Sequence, residues 1–115
     1  MEIVPTGNAL GAEITGVDLS QELSEAERKV IFDAYIDNLV LLFRGQSLSF
    51  EDLLRLREWF GPPGKTADQL LGLGRKKYYP NEVPTEITII SNIIEEDGTP
   101  RGALGAGEAY WHTDS

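Results

Sequence analysis

The feature that most constrains this fold is an uninterrupted apolar run, Leu39-Val40-Leu41-Leu42-Phe43, between two segments of helical pattern. Because every side chain in the run is apolar, it predicts a strand buried on both faces.

Both helical segments begin with the same local signal, a serine followed three residues later by an acidic residue. Ser24 precedes Glu27 and Ser49 precedes Asp52, a spacing in which the serine and the acid can cap the exposed backbone amides of a first helical turn. Apolar residues then recur at helical spacing. The predicted helices are Glu25–Asp37 and Phe50–Phe60.

The second half of the chain is predicted to contain less regular structure. A Gly- and Pro-rich connection, Gly61–Glu86, is expected to contain one helical turn at Ala67–Leu71. The segments expected after it are a strand at Ile87–Ser91, a polar turn at Glu95–Pro100, a flexible glycine-rich stretch at Arg101–Gly107 and an extended segment at Ala109–Asp114.

The charge balance and the absence of cysteine exclude several classes of protein. The 115 residues include 10 Lys and Arg against 19 Asp and Glu, a net charge of −9, which argues against nucleic acid or an anionic membrane as a partner. No cysteine is present, so disulfides, thiolate metal sites and cysteine nucleophiles are excluded. No secretory signal or spanning apolar run is visible, and a soluble, cytoplasmic protein is expected.

The pair His112 and Asp114 is the strongest candidate for chemistry. In a strand, residues two apart point to the same side, roughly 6.6 Å apart along the chain, and can converge on one ion. An imidazole and a carboxylate are two of the three ligands in the 2-His-1-carboxylate triad of non-haem Fe(II) oxygenases. Taken alone, such a tripeptide is more often an ordinary surface or satisfied polar pair than a metal site.

Four stretches, in order along the chain, resemble the TauD/TfdA family of Fe(II)/2-oxoglutarate-dependent dioxygenases. The last, Trp111-His112-Thr113-Asp114, is similar to the family's Trp-His-x-Asp iron motif. The others are Leu10–Ser20, which is similar to the opening strand and turn, Leu39–Gln46, which ends in the Phe-Arg-x-Gln signature, and Trp59-Phe60-Gly61, which is similar to the end of the second helix.

The resemblance implies that residues 1–115 are the N-terminal portion of a single dioxygenase domain. The implied fold is α+β, with these strands and two helices belonging to a double-stranded β-helix (jelly-roll) enzyme that is incomplete in this chain. The implied cofactors are Fe(II), bound by His112 and Asp114, and 2-oxoglutarate, which is decarboxylated to succinate while a substrate C–H bond is hydroxylated. Related halogenases have a small residue in place of the carboxylate, so Asp114 favours hydroxylation, or a cleavage or desaturation derived from it.

The resemblance also places substrate contacts at Asn92, Glu108 and Tyr110, with Gly61–Glu86 as a candidate lid. Glu108 would suit a cationic or hydroxyl-bearing substrate better than a sulfonate, although a solvated glutamate explains it equally well. The expected partners are a small organic substrate and O2, with no nucleic acid and no membrane, and a homo-oligomer is left open.

The chain departs from the family pattern because it contains a single histidine. The third iron ligand and the arginine that binds 2-oxoglutarate are therefore expected downstream of Ser115. Two alternatives stay open at this point: a non-catalytic fragment or interaction module, and a different metalloenzyme, such as a hydrolase, that uses His112 and Asp114.

Overall fold

The computed structural model describes residues 1–62, 64, 83–84, 86–104 and 110–112, and the chain divides into two compact units, Met1–Pro62 and Pro63–Ser115. The first unit contains a three-stranded sheet and two helices, and the second contains a two-stranded sheet. The predicted α+β class is confirmed, while the jelly-roll core and the single domain over residues 1–115 stay predictions.

The sheet of the first unit has the strand order β1-β2-β3. Strand β1 (Glu2–Pro5) pairs antiparallel with β2 (Ala12–Thr15), and β2 pairs parallel with β3 (Leu41–Leu42). A parallel pair needs a crossover connection, and helix α1 (Glu25–Asn38) provides it between β2 and β3.

Helix α1 begins with the predicted capping box. The Ser24 hydroxyl accepts a hydrogen bond from the Glu27 backbone amide at 3.2 Å, and the Glu27 carboxylate accepts one from the Ser24 backbone amide at 2.8 Å. These two bonds satisfy donors that the first turn of a helix otherwise leaves unpaired. The prediction of this helix is confirmed, and its last residue is Asn38 rather than Asp37.

The prediction of a strand buried on both faces at Leu39–Phe43 is wrong in extent and in burial. Leu39 caps α1 in the left-handed conformation (φ 67°), and its amide donates to the Tyr35 carbonyl at 2.7 Å, so this end of the run completes the helix. Only Leu41–Leu42 form β3. Within the first unit β3 lies at the edge of the sheet, and Leu42 is 42% exposed.

The second helix, α2 (Phe50–Glu58), starts at its predicted capping box of Ser49 and Asp52 and ends two residues before the predicted Phe60. Trp59 is the C-cap. The Phe60 ring then lies 5.4 Å from the Tyr35 ring and 6.3 Å from the Phe32 ring, measured between centroids. Phe60 therefore packs on α1 from a turn and not from α2.

The buried core of the first unit joins β2, the loop after it and α1. Its buried members are Ile14, Leu19, Leu23, Ile31 and Ala34. The partly buried side chains packed against them come from the rest of the unit, namely Val17, Leu41, Phe43, Leu48, Leu56 and Trp59. One face of α2 thus reaches the core through Leu56, with Trp59 following at its end.

In the second unit, β4 (Ile90–Ser91) pairs parallel with β5 (Ala103–Leu104). The predicted strand at Ile87–Ser91 is confirmed at its last two residues only. The prediction that Arg101–Gly107 is flexible is wrong at β5, because its backbone pairs with β4. Among the described helices, neither has the length and apolar character needed to cross a bilayer.

The connection from β4 to β5 contains the predicted polar turn. The Glu95 amide donates to the Thr99 carbonyl at 2.8 Å, and the Gly98 amide donates to the Glu95 carbonyl at 2.9 Å. Ile94 and Pro100 form an isolated antiparallel bridge across it. The turn at Glu95–Pro100 is therefore confirmed.

Candidate metal centre

The predicted iron motif begins at His112, and the structure describes Tyr110, Trp111 and His112 but not Asp114, which lies outside the described residues. Trp111 forms a bend, and none of these three residues belongs to a strand. The predicted extended segment is therefore wrong here, and the alternation of a strand does not describe how His112 is oriented.

A local contact orients the His112 side chain instead. Its ring nitrogen Nδ1 lies 2.6 Å from the backbone carbonyl oxygen of Tyr110. The Tyr110 and Trp111 side chains are 94% and 104% exposed, and His112 is exposed as well. The imidazole is thus held by backbone close to it in sequence while the aromatic side chains beside it face solvent.

The donor atoms expected here suit the implied metal. A neutral imidazole binds Fe(II) well, and an aspartate at position 114 supplies a carboxylate by residue type. Within the described part of the chain, no group of three or more His, Asp or Glu side chains is placed to hold a metal ion. The structure therefore describes one member, His112, of the predicted ligand set.

The predicted substrate contacts are described only in part. Asn92 is exposed and directly follows β4, and Tyr110 is exposed two residues before His112. Glu108 lies outside the described residues, as do the helical turn predicted at Ala67–Leu71 and most of the lid Gly61–Glu86. All of these assignments stay predictions.

Charged side chains in the turn before β5 form hydrogen bonds with neighbouring residues. Arg101 donates two hydrogen bonds to the Glu95 carboxylate, which together with its negative charge raise the pKa of the guanidinium. The hydroxyl and amide of Thr99 hold the pKa of Asp97 below its usual range. These carboxylates therefore close the turn and are not expected to compete for a metal ion. Sequence reasoning missed the Glu95–Arg101 pair, although opposite charges on either side of a predicted turn were a signal for it.

Comparisons with known proteins identify the family of this chain. The profile of the taurine catabolism dioxygenase TauD, TfdA family matches residues 2–115. The chain belongs to the TauD/TfdA family. The match covers both units and extends through the Trp-His-x-Asp segment.

Relatives within the TauD/TfdA family share about a third of their residues with this chain. It is 36% identical to pentalenolactone F synthase from Streptomyces avermitilis over 109 residues, covering 94% of this chain and 33% of the relative. It is 31% identical to (S)-phenoxypropionate/alpha-ketoglutarate-dioxygenase from Delftia acidovorans over 125 aligned residues, covering 100% of this chain and 37% of the relative. The chain thus spans about a third of the length of these relatives.

A solved structure supports the same relationship. The crystal structure of a candidate alpha-ketoglutarate-dependent taurine dioxygenase from Burkholderia xenovorans is 37% identical in sequence and superposes with a TM-score of 0.50. The superposition covers 52% of this chain and 22% of that protein.

Proposed function

We propose that the full-length protein is an Fe(II)/2-oxoglutarate-dependent dioxygenase that hydroxylates a C–H bond of a small organic substrate. The observation that carries the proposal is the match of the TauD/TfdA profile through residue 115, a range that includes His112 and Asp114. One relative is itself named for its use of alpha-ketoglutarate. When bound, Fe(II) and 2-oxoglutarate would supply the activation of O2, with succinate and carbon dioxide as co-products.

In this proposal His112 and Asp114 are each a ligand of the metal. A neutral imidazole and a carboxylate are two of the three ligands that non-haem Fe(II) oxygenases use, so His112 and Asp114 would hold the metal together with a third residue. The chain contains one histidine, so the proposal requires a second histidine from elsewhere in the full-length protein. It requires an anchor for the far carboxylate of 2-oxoglutarate from elsewhere as well.

Asn92, Glu108 and Tyr110 are proposed to contact the substrate. Asn92 and Tyr110 are both exposed, so their side chains are accessible to a small molecule. The two relatives carry the names of different products or substrates, and the proposal therefore extends to the class of reaction and not to a named substrate. A cytoplasmic location and self-association remain predictions.

The dioxygenase relatives favour the enzyme over the non-catalytic module, and no contact among the described residues favours the hydrolase. The donor set also suits iron chemistry, because an imidazole and a carboxylate are ligands that non-haem Fe(II) oxygenases use. A wild-type protein that produces no succinate would favour the non-catalytic module or the hydrolase instead.

The test compares His112→Ala and Asp114→Asn with the wild type in the full-length protein. Succinate production that depends on Fe(II), O2 and 2-oxoglutarate should fall by roughly 100-fold or more, since even outer-shell changes at metal sites cost about 10- to 100-fold. Asp37→Asn, an exposed change of the same type on α1, is the matched control and should retain activity. Wild-type turnover in both ligand variants would refute the assignment.

A further inference from the structure

We propose that Asp97–Gly98 is a covalent modification site, at which the main chain rearranges to isoaspartate, and that the closed turn between β4 and β5 slows this reaction. Asp97 is the only aspartate of the chain that precedes a glycine. Both residues are exposed, and none of the described residues comes within 4 Å of a Cβ built at Gly98. The inference concerns the chemistry of the turn and does not depend on the proposed function.

The rearrangement at Asp97 needs no reactant other than water. The Gly98 backbone nitrogen bonds to Asp97 Cγ, and the hydroxyl of the carboxyl group leaves as water with the amide hydrogen. A second water opens the five-membered imide that results. Addition at Cγ restores aspartate, whereas addition at the main-chain carbonyl leaves isoaspartate, whose main chain passes through Cβ and Cγ. Glycine favours ring closure because it has no side chain to crowd the attacking nitrogen.

The folded turn opposes this reaction at the attacking nitrogen. The nitrogen attacks once its proton has been released to water, so a hydrogen that is bonded to a protein acceptor is held back from the reaction. The Gly98 amide donates its hydrogen to the Glu95 carbonyl at 2.9 Å. Attack on Asp97 Cγ therefore requires this hydrogen bond to break and the turn to open.

The turn also makes the carboxyl group of Asp97 a poor target for the nitrogen. Its Oδ1 accepts a hydrogen bond from the Thr99 backbone amide at 2.9 Å, which holds the side chain in place. The hydroxyl and amide of Thr99 keep the pKa of Asp97 below its usual range, so the group stays ionised at neutral pH. An ionised carboxylate resists attack because its negative charge repels the nucleophile and its oxygen leaves poorly.

An ion pair across the turn keeps these bonded groups together. Arg101 donates two hydrogen bonds to the Glu95 carboxylate, and its backbone amide donates to the Ile93 carbonyl at 2.9 Å. Glu95 is also the residue whose carbonyl accepts the Gly98 amide. Substitution of Arg101 should therefore change how often the turn opens while it leaves both reacting residues in place.

Isoaspartate would add one main-chain carbon inside this turn. The Glu95 amide donates to the Thr99 carbonyl at 2.8 Å, and the added atom lies between these two residues. The strands on either side, β4 and β5, are two residues long each, so little pairing resists the change. Modification at Asp97 is thus expected to weaken the turn that slowed it.

The test follows isoaspartate at residue 97 in the full-length protein, kept near neutral pH in water labelled with heavy oxygen. Each imide that hydrolyses takes up one labelled oxygen, and mass spectrometry with electron-transfer fragmentation distinguishes isoaspartate from aspartate. A peptide of residues 93–101 is the open reference. We expect it to react about 5- to 150-fold faster than the folded protein, the range for losing the two hydrogen bonds of Asp97 and Gly98. Equal rates would overturn the role of the turn.

Three variants of the full-length protein locate the reaction and test the ion pair. Asp97→Glu should abolish the signal, because its longer side chain would have to close a less favourable six-membered ring. Arg101→Gln should raise the rate about 2- to 12-fold, the range for one net hydrogen bond. Arg44→Gln, which removes the ion pair with Glu13 in the first unit, is the matched control and should leave the rate unchanged.

Two results with these variants would overturn the inference. Isoaspartate that persists in Asp97→Glu would show that another residue is the main site. Equal rates in Arg101→Gln and Arg44→Gln would show that the ion pair at Glu95 does not govern the opening of the turn. If Arg101→Gln fails to fold, the comparison of the wild type with the peptide still decides whether the turn protects Asp97.

Discussion

The side-chain amide of Gln46 offers a quantitative test of how the first unit is held together. Its Oε1 accepts the Leu19 amide at 2.9 Å, and its Nε2 donates to the Val17 carbonyl at 3.0 Å. One side chain thus pairs two backbone groups of the loop after β2, as a neighbouring strand would. Leu19 belongs to the buried core, so this pairing also holds a core residue in place.

Replacing Gln46 with methionine keeps a side chain of similar length but removes both of these bonds, together with an exposed bond of 3.3 Å from Nε2 to the Arg44 carbonyl. Each such bond contributes about 0.5–1.5 kcal/mol net, so we expect the free energy of unfolding to fall by about 1–3 kcal/mol. The lower value applies if water reaches the Leu19 amide and the Val17 carbonyl once the amide of Gln46 is gone, because their desolvation cost is then avoided.

The measurement is urea unfolding followed by far-UV circular dichroism, with the slope of the transition compared between variants. A lower midpoint at an unchanged slope indicates a change in stability and not in the denatured state. Gln21→Met is the matched control. Gln21 is exposed and its side-chain amide donates to the exposed hydroxyl of Ser20, so its loss should cost no more than about 0.5 kcal/mol.

Equal midpoints for Gln46→Met and Gln21→Met would refute this reasoning. Such a result would mean that the loop keeps its conformation through core packing alone and that the amide bonds form without stabilising it. A reduced slope in Gln46→Met would point instead to a change in the extent of the folded unit.

Three further predictions concern local features. Ser24→Ala removes the α1 cap and should lower the free energy of unfolding by about 0.5–2 kcal/mol in the same urea assay. Gly102→Ala should speed amide hydrogen exchange in the β4–β5 connection more than Gly98→Ala does. Both glycines have a positive φ, but only a Cβ at Gly102 would clash, because it would lie 2.5 Å from the Ile89 carbonyl oxygen. Hydrogen bonds from the backbone and side chain of Ser49, the N-cap of α2, lower the pKa of Asp52. The ionised carboxylate therefore stabilises the folded state at pH values above the pKa of an unfolded aspartate, about 3.9. That contribution is lost as the pH falls through the lower, folded pKa, and thermal unfolding from pH 5 to 2 should show a smaller acid effect in Asp52→Asn.

The helices could be predicted from sequence because their start signals act over a few residues. Ser24 and Glu27 bond to each other's backbone within one turn, so the residues that decide where α1 begins are adjacent in the chain. The last residues of the helices were predicted less accurately than the first. The observed end of α1 depends on Leu39 adopting a left-handed conformation, which an apolar residue seldom does and which no local pattern indicated.

The strands were harder to predict because their bonds join distant residues. Strand β1 is four residues long and ends in Pro5, and it becomes a strand by pairing with Ala12–Thr15. Strand β5 lies in a glycine-rich stretch that suggested flexibility, yet it pairs with Ile90–Ser91. In both cases the partner strand decides the conformation, and local propensity does not reveal the partner.

The residues that carry the family resemblance have two different roles in the structure. Gln46, from the Phe-Arg-x-Gln signature, bonds to the loop after β2, and Trp59, from the end of the second helix, packs on the core. These residues account for the resemblance by maintaining the fold, and a non-catalytic relative would need them as much as an enzyme. His112 differs, because it is exposed and its ring bonds to the backbone of Tyr110. Catalysis is therefore expected to depend on His112 together with Asp114, and substitutions there should separate activity from stability, whereas substitutions at Gln46 should affect stability first.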